Sequence, residues 1–335
     1  MKAVLVLEDG TVFEGNSFGA EGEAAGEVVF NTQIIGYQEI LTDPAYGGKM
    51  VAMGYPHIGN YGINDRCSES DSTHAQALIV KEYSKIYSNW QATGSLGDFM
   101  KKNGVVGIEG IDTRSLTIYI REHGEMKGVV STKTADVKKL AEKAKAFKDN
   151  LKPQTSNVKI NNKAQSSTVI IDIGVNKSTL AKYEGAAVVS AAATADQILK
   201  MQPEEVIISS GPGDPRDLKG LIAEVKKLVG QVKLTGIQNG ACVLALALGC
   251  TVSKMKVGHH GMNLPVVDPK TGKGEISMQN HSYGFDKLSK EVKVAHINLN
   301  DKTVEKIVSL DGKCQAALYY PIDERGKLDP GYKRV

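Results

Sequence analysis

The sequence predicts a two-domain α/β protein whose second half is built on a parallel sheet, and three observations carry this. The chain has 335 residues, too many for one ordinary compact core. A polar tract at 149–167, DNLKPQTSNVKINNKAQSS, holds one proline and almost no large apolar side chains, and reads as a linker. Beyond it, β-branched apolar runs alternate with helical patterns, as in a parallel sheet covered on both faces. The predicted divisions are a first domain at 1–150, a linker at 151–167 and a second domain at 168–335.

Within the first domain, residues 3–7 and 11–15 read as short strands joined by Glu-Asp-Gly, a hairpin signal. Glycines recur through 15–62, and Asp43-Pro44 and Tyr55-Pro56 interrupt any long helix there, so strands and short helices tied by loops are expected. Residues 134–148 form an amphipathic helix, with Thr134 as its cap and Val137, Leu140, Ala141, Ala144 and Phe147 as its apolar stripe. In the second domain, strands are predicted at 168–173, 186–191, 205–209 and 232–237, and helices at 194–201, 217–229 and 240–248. Strands near 275–279, 292–297, 304–310 and 314–320 read as an antiparallel extension.

Composition excludes several classes of function. A net charge of +3, with 41% hydrophobic and 24% charged residues, gives no reason to expect a nucleic-acid or polyanion partner. The start, MKAVLVLEDG, is too short in apolar residues for a signal-peptide core. The longest apolar run, 241–250, is about half of a membrane span. Cys67, Cys242, Cys250 and Cys314 are widely spaced with no CxxC pair. Reduced thiols in a cytoplasmic protein fit them better than a disulfide framework or a zinc site. No metal, nucleotide or flavin signature is visible, and no cofactor is expected.

Four segments carry the chemistry. In VKLTGIQNGACVLALALG a strand runs through a glycine-bounded turn into a helix, with residue 238 at the tip. Such an elbow exposes one side chain and aims backbone N–H groups into a pocket; alone the signal is weak, because many plain strand–helix turns carry glycines. SSGPGDP (209–215) follows a buried strand, and Gly211 and Gly213 permit close backbone approach to a ligand. It lacks the Gly-Lys-Ser/Thr of a phosphate loop. VGHHGMNLPV (257–266) and MQNHSYGF (278–285) complete the set.

In this order and spacing these segments resemble the class I, triad-type glutamine amidotransferase domain of carbamoyl-phosphate synthetase. GEVVFNTQIIGYQEILTDPAYGGKMVAMGYPHIGNYGIND (26–65) and IEGIDTRSLTIYIREHG (108–124) are similar to the N-terminal domain of that enzyme's small subunit, and the resemblance covers roughly residues 1–320. It implies an N-terminal α/β domain peculiar to the small subunit and a flavodoxin-like amidotransferase domain with a mostly parallel central sheet. A synthetase large subunit is the implied partner, and ATP binding belongs to that subunit.

Departures from the family pattern bear on activity. The family elbow reads Gly-Ile-Cys-Leu-Gly-His-Gln; here it is Gly236-Ile237-Gln238-Asn239-Gly240-Ala241-Cys242. Gln238 replaces the nucleophile, and Cys242 replaces a glutamine that helps bind substrate. A carboxamide offers no nucleophile at neutral pH. The family's Gly-His-Pro-Glu aligns with Tyr320-Pro321-Ile322-Asp323, so Pro321 replaces the base, and Asp323 stands at the carboxylate with no imidazole to orient. Ala45 replaces a substrate-contacting serine, and Ser282-Tyr283 replace a Gly-Phe. Gly211, Gly213, Asn280 and the Asn239 backbone remain as scaffold of a vestigial substrate pocket.

The remaining candidates receive structural readings. Cys242 is expected as a small buried hydrophobe, with hydrolysis through its thiol the remote alternative. Cys67, Cys250 and Cys314 lack basic neighbours and read as inert. His259 and His260, placed in a loop, and His281 read as packing or interface residues. The helix after Asp172 is expected to be short. The C-terminal helix that follows His-Pro-Glu in active relatives is expected to be absent or replaced, since the sequence closes on GKLDPGYKRV. The leading expectation is a small-subunit homologue that binds a large subunit without hydrolysing glutamine. The alternative is a stand-alone scaffold that binds a small metabolite in the cleft, and Gln238 could itself fill that cleft with its own carboxamide.

Overall fold

The computed structural model describes residues 1–148 and 166–320, and the chain divides into two compact units, Met1–Leu151 and Lys152–Val335. Pro321 and Asp323, the chain terminus and the polar tract at 149–165 lie outside the described residues.

The first unit is a closed barrel. Its strands are β1 (Lys2–Leu7), β2 (Val12–Gly19), β3 (Glu23–Asn31), β4 (Lys49–Met53), β6 (Ala77–Ile79), β8 (Val106–Glu109) and β9 (Met126–Ser131), in the order β1-β2-β8-β6-β4-β3-β9. The short β5 (His57–Ile58) and β7 (Glu82–Tyr83) pair separately. The expected hairpin forms, with Val4 opposite Glu14 and Leu5 opposite Phe13. Closure was not legible, because β3, β4, β6 and β8 pair in parallel across long intervening segments.

Helices α1 (Tyr37–Thr42), α2 (Leu96–Lys102), α3 (Thr113–His123) and α4 (Val137–Ala146) accompany the barrel. α4 is capped by Asp136, whose carboxylate accepts from Lys139 N, while Thr134 Oγ1 accepts from Asp136 N. The predicted cap is thus two residues early, and the acidic side chain takes the orphan helical N–H. Leu140, Ala141 and Ala144 bury against Val4, Val6 and Val129, whereas Val137 stays 36% exposed.

The second unit holds a ten-stranded sheet. β10 (Thr168–Asp172), β11 (Ala187–Ser190), β12 (Glu205–Ile208), β13 (Lys233–Ile237) and β18 (Cys314–Ala317) are parallel, in the order β11-β10-β12-β13-β18. That is the flavodoxin-like 2-1-3-4-5 order. β14 (Val252–Val267), β15 (Gly274–Phe285), β16 (Val292–Asn298), β17 (Val304–Ser309) and β19 (Tyr319–Tyr320) extend it in antiparallel fashion. Two readings need correction. β18, expected in the antiparallel extension, pairs in parallel with β13. His259 and His260, expected in a loop, lie on the long β14.

Alternation along the parallel strands makes two cores. Val169, Ile171, Val206, Ile208 and Leu234 face α6 (Ala195–Leu199), α7 (Lys219–Leu228) and α8 (Asn239–Ala247), while Ile170, Val188 and Ile207 face Leu180 of α5 (Lys177–Lys182). α5 has six residues, in keeping with the short helix expected there. α8 is buried on nearly every side, which lets its first residue sit deep at the carboxyl end of the sheet.

Candidate functional site

The deepest feature of the second unit is the turn from β13 to α8. Gln238 joins them with φ 51° and ψ −115°, a left-handed conformation that a side-chain-bearing residue rarely adopts. Such a residue costs about 1–3 kcal/mol and persists only where its surroundings over-determine it. Here Gln238 N donates to Ala317 O of β18 at 2.8 Å, and Gln238 O accepts from Ala241 N at 2.9 Å. Gly240 lets the helix start press onto β12: a Cβ there would lie 2.2 Å from Ile208 O and 2.4 Å from Ser209 O.

The Gln238 side chain is fully buried. With the amide turned to satisfy its surroundings, its nitrogen donates to Ser210 Oγ at 2.7 Å and to Asn280 O at 3.2 Å. Its oxygen then accepts from Asn280 N at 3.2 Å. The carboxamide therefore pairs with the backbone of β15 as a strand neighbour would, and it occupies the space beside the 209–215 loop.

That loop is held by its own chain. Ser209 Oγ accepts from Ile173 N at 3.1 Å and donates to Ser210 O at 2.9 Å. Gly211 abuts the Ile173 carbonyl so closely that a Cβ would sit 1.9 Å from its oxygen. Its smallness, read in the sequence as room for a ligand, is used by this contact. Gly213 has a φ of 82°. Asn239 Nδ2 donates to Gly211 O at 2.6 Å and to Gly213 O at 3.0 Å, strapping the loop to the first turn of α8. Sequence reading credited Asn239 with its backbone alone. Asn239→Ala should cost about 1–3 kcal/mol, since it strips two buried carbonyls of a donor; chemical denaturation of the full chain would measure it, and a loss under about 0.5 kcal/mol would deny the strap.

Residues 5–130 match the family description "Carbamoyl-phosphate synthase small chain, CPSase domain", and residues 169–319 match "Glutamine amidotransferase class-I". The carbamoyl phosphate synthase small chain of Aquifex aeolicus is 42% identical over 98% of this chain and 96% of its own length. Those of Solidesulfovibrio magneticus (40%; 99% and 96%) and Archaeoglobus fulgidus (42%; 96% and 93%) are similar at comparable coverage. The chain belongs to the carbamoyl phosphate synthase small-chain family.

The elbow lies inside the matched amidotransferase segment, and Gln238 stands at its tip. Cys242 is fully buried, with Sγ 4.0 Å from Tyr283 O; burial, with Glu305 and Asp214 adding, pushes its thiol well above the ordinary range. It is no thiolate at neutral pH. Ser282 Oγ lies 3.5 Å from His260 Nε2, and His260 Nδ1 contacts Asn280 Oδ1 at 2.6 Å. The Tyr283 ring lies under the Arg216 guanidinium, 5.5 Å from its centroid, and Arg216 pairs with Asp214 through two nitrogens. Ala45 is buried in the first unit, in a 3₁₀ turn (Pro44–Tyr46) capped by Asp43, whose Oδ1 accepts from Ala45 N at 3.0 Å. The structure thus gathers Gln238, Asn239, Gly211, Gly213 and Asn280 around one turn.

A second cluster was missed. Glu305, fully buried on β17, lies between His259 and His281: Glu305 Oε1 is 2.9 Å from His259 Nδ1, and Oε2 is 3.2 Å from His281 Nε2. Burial opposes ionisation of Glu305, but His281 and His259 outweigh it and hold the carboxyl at about 2. Burial likewise opposes the charge on His259, yet Asp301 and Glu305 push it up to about 9. The sequence signal was available only as isolated residues, since 46 positions separate His259 from Glu305.

Proposed function

We propose that this chain is a small-chain homologue that docks with a synthetase large subunit while leaving glutamine unhydrolysed, so that the complex draws on free ammonia. The buried Gln238 carboxamide at the elbow carries this reading. Acyl transfer from glutamine needs an ionisable nucleophile with a base in reach; Gln238 supplies neither, and its amide group takes hydrogen bonds from Ser210 and Asn280 that a bound amide would need. Membership of the small-chain family supports a large subunit as partner, because a small chain is one part of a synthase that pairs it with a large one.

The alternative, a stand-alone protein binding a small metabolite in this cleft, is disfavoured by the same side chain: the space beside Ser210 is filled. Two measurements separate the readings. Millimolar L-glutamine, L-glutamate or related amides should shift the thermal midpoint by less than about 1 °C, since a site that does not bind adds no stability. The chain should elute as a stable complex when mixed with a synthetase large subunit. A clear ligand-induced shift together with no complex would reverse the assignment. No helix among the described residues is long and apolar enough to cross a membrane.

A further inference from the structure

The cluster at Glu305 joins three strands. His259 on β14 and His281 on β15 are register partners, and Glu305 comes from β17. The His281 and Glu305 side chains are 0% exposed and His259 is 11% exposed. One ligating atom from each of the three residues lies within 4.8 Å of the others.

Hydrogen bonding fixes how the rings face. His281 Nδ1 lies 2.9 Å from Tyr283 O, an acceptor with no proton of its own, so this nitrogen carries the N–H. His259 Nε2 lies 2.8 Å from Asp301 Oδ2 and is directed outward in the same way. An outer nitrogen donating to a carbonyl or carboxylate is how proteins orient metal-ligating histidines. The inner nitrogens, His259 Nδ1 and His281 Nε2, then converge on the two oxygens of Glu305. With Nδ1 directed at Tyr283, His281 turns Nε2 toward Glu305 Oε2, and neither of these buried atoms has a hydrogen-bond partner. An imidazole nitrogen and a carboxylate oxygen 3.2 Å apart in the protein interior call for a positive charge between them, which a proton or a metal ion supplies.

We propose that His259 Nδ1, His281 Nε2 and the Glu305 carboxylate bind one divalent transition-metal ion, with zinc the best match to two imidazoles and a carboxylate. Bonds of about 2.0–2.1 Å in a tetrahedral site separate neighbouring ligand atoms by about 3.3 Å, within the range these atoms span. The ion displaces the proton that His259 Nδ1 shares with Glu305 Oε1 at 2.9 Å, and Asn298 Nδ2 keeps its contact with Gln279 Oε1. A water completes the fourth position. The ion's role is structural: it ties the β14–β15 arm to β17 one residue from Asn280, whose backbone holds the Gln238 amide. No short motif announces the site because each ligand comes from a different strand.

The test uses the full chain, stripped with a chelator and dialysed. Zinc uptake is then followed by competition with a chromophoric chelator and by elemental analysis. The expected result is one zinc per chain and a thermal midpoint that rises with zinc. Asp301 is 42% exposed, so Asp301→Asn should fold and weaken zinc binding about 10–100-fold through loss of the outer partner. His281→Gln should abolish the uptake. Absence of uptake by the unaltered chain overturns the proposal. So does uptake that Asp301→Asn and His281→Gln leave unchanged, since the ion then lies elsewhere. A ¹⁵N spectrum of the zinc-treated chain with both imidazoles doubly protonated also overturns it.

Discussion

Gln238→Cys leaves glutamine hydrolysis where the unaltered chain has it, about four to six orders of magnitude below an intact triad enzyme. Restoring a thiol at the elbow restores the nucleophile's place, and the left-handed backbone at 238 would present it correctly. What it cannot restore is a base. His260 is engaged with Asn280 Oδ1, His281 with Tyr283 O, and His259 lies between Asp301 and Glu305. Pro321, the residue expected at the base position, carries no ionisable group. A thiol without an imidazole stays protonated at neutral pH, more so where burial disfavours the thiolate. Glutamate release, with mass spectrometry for labelling by a glutamine-analogue electrophile, measures the outcome. Rapid labelling and turnover in Gln238→Cys would place an unrecognised base beside the elbow.

Glu305→Ala should be the most damaging single substitution in the second unit, at about 3–5 kcal/mol. Removing one partner of a buried charge cluster leaves the rest uncompensated, and His259 and His281 both face this carboxylate. Thr303 Oγ1 loses its second acceptor at 3.1 Å and keeps Asp301 Oδ1 at 2.7 Å. Asp301→Asn offers the contrast: it touches the same histidine, but Asp301 is partly exposed, where water screens the charge, and should cost under about 1 kcal/mol. Urea denaturation of the two variants gives the comparison. Equal losses would mean that Glu305 acts through packing alone.

The elbow and the parallel strands β10 to β13 were legible because their signals are local, whereas β18 was read into the antiparallel extension. β10 and β12 are centred on short β-branched runs, at 169–171 and 206–208, and together with β13 they alternate along the chain with helical patterns. β14 was not legible. Its pairing with β15 shifts register between Lys254 and His259 and again between Gly261 and Leu264, which breaks the two-residue alternation. Gly261 and Pro265 then read as loop punctuation. The cap of α4 was misplaced because Thr134 and Asp136 are both good caps, and the choice rests on which side chain reaches Lys139 N. Gly211 was given to a ligand because a glycine pattern does not say what approaches it; the Ile173 carbonyl does. Asn239, one residue beyond the elbow, drew notice for its backbone, while its side chain holds the loop. Apart from the α4 cap, these misses concern partners distant in sequence.

The most direct measurement compares nitrogen donors in the reconstituted pair. The chain and a synthetase large subunit are mixed, and carbamoyl phosphate is followed with ammonium or with L-glutamine as the sole donor. The expected result is synthesis from ammonium and none above background from glutamine. Glutamine-dependent synthesis by the pair, lost when this chain is withheld, would contradict the reading of Gln238 as the residue that ends glutaminase activity.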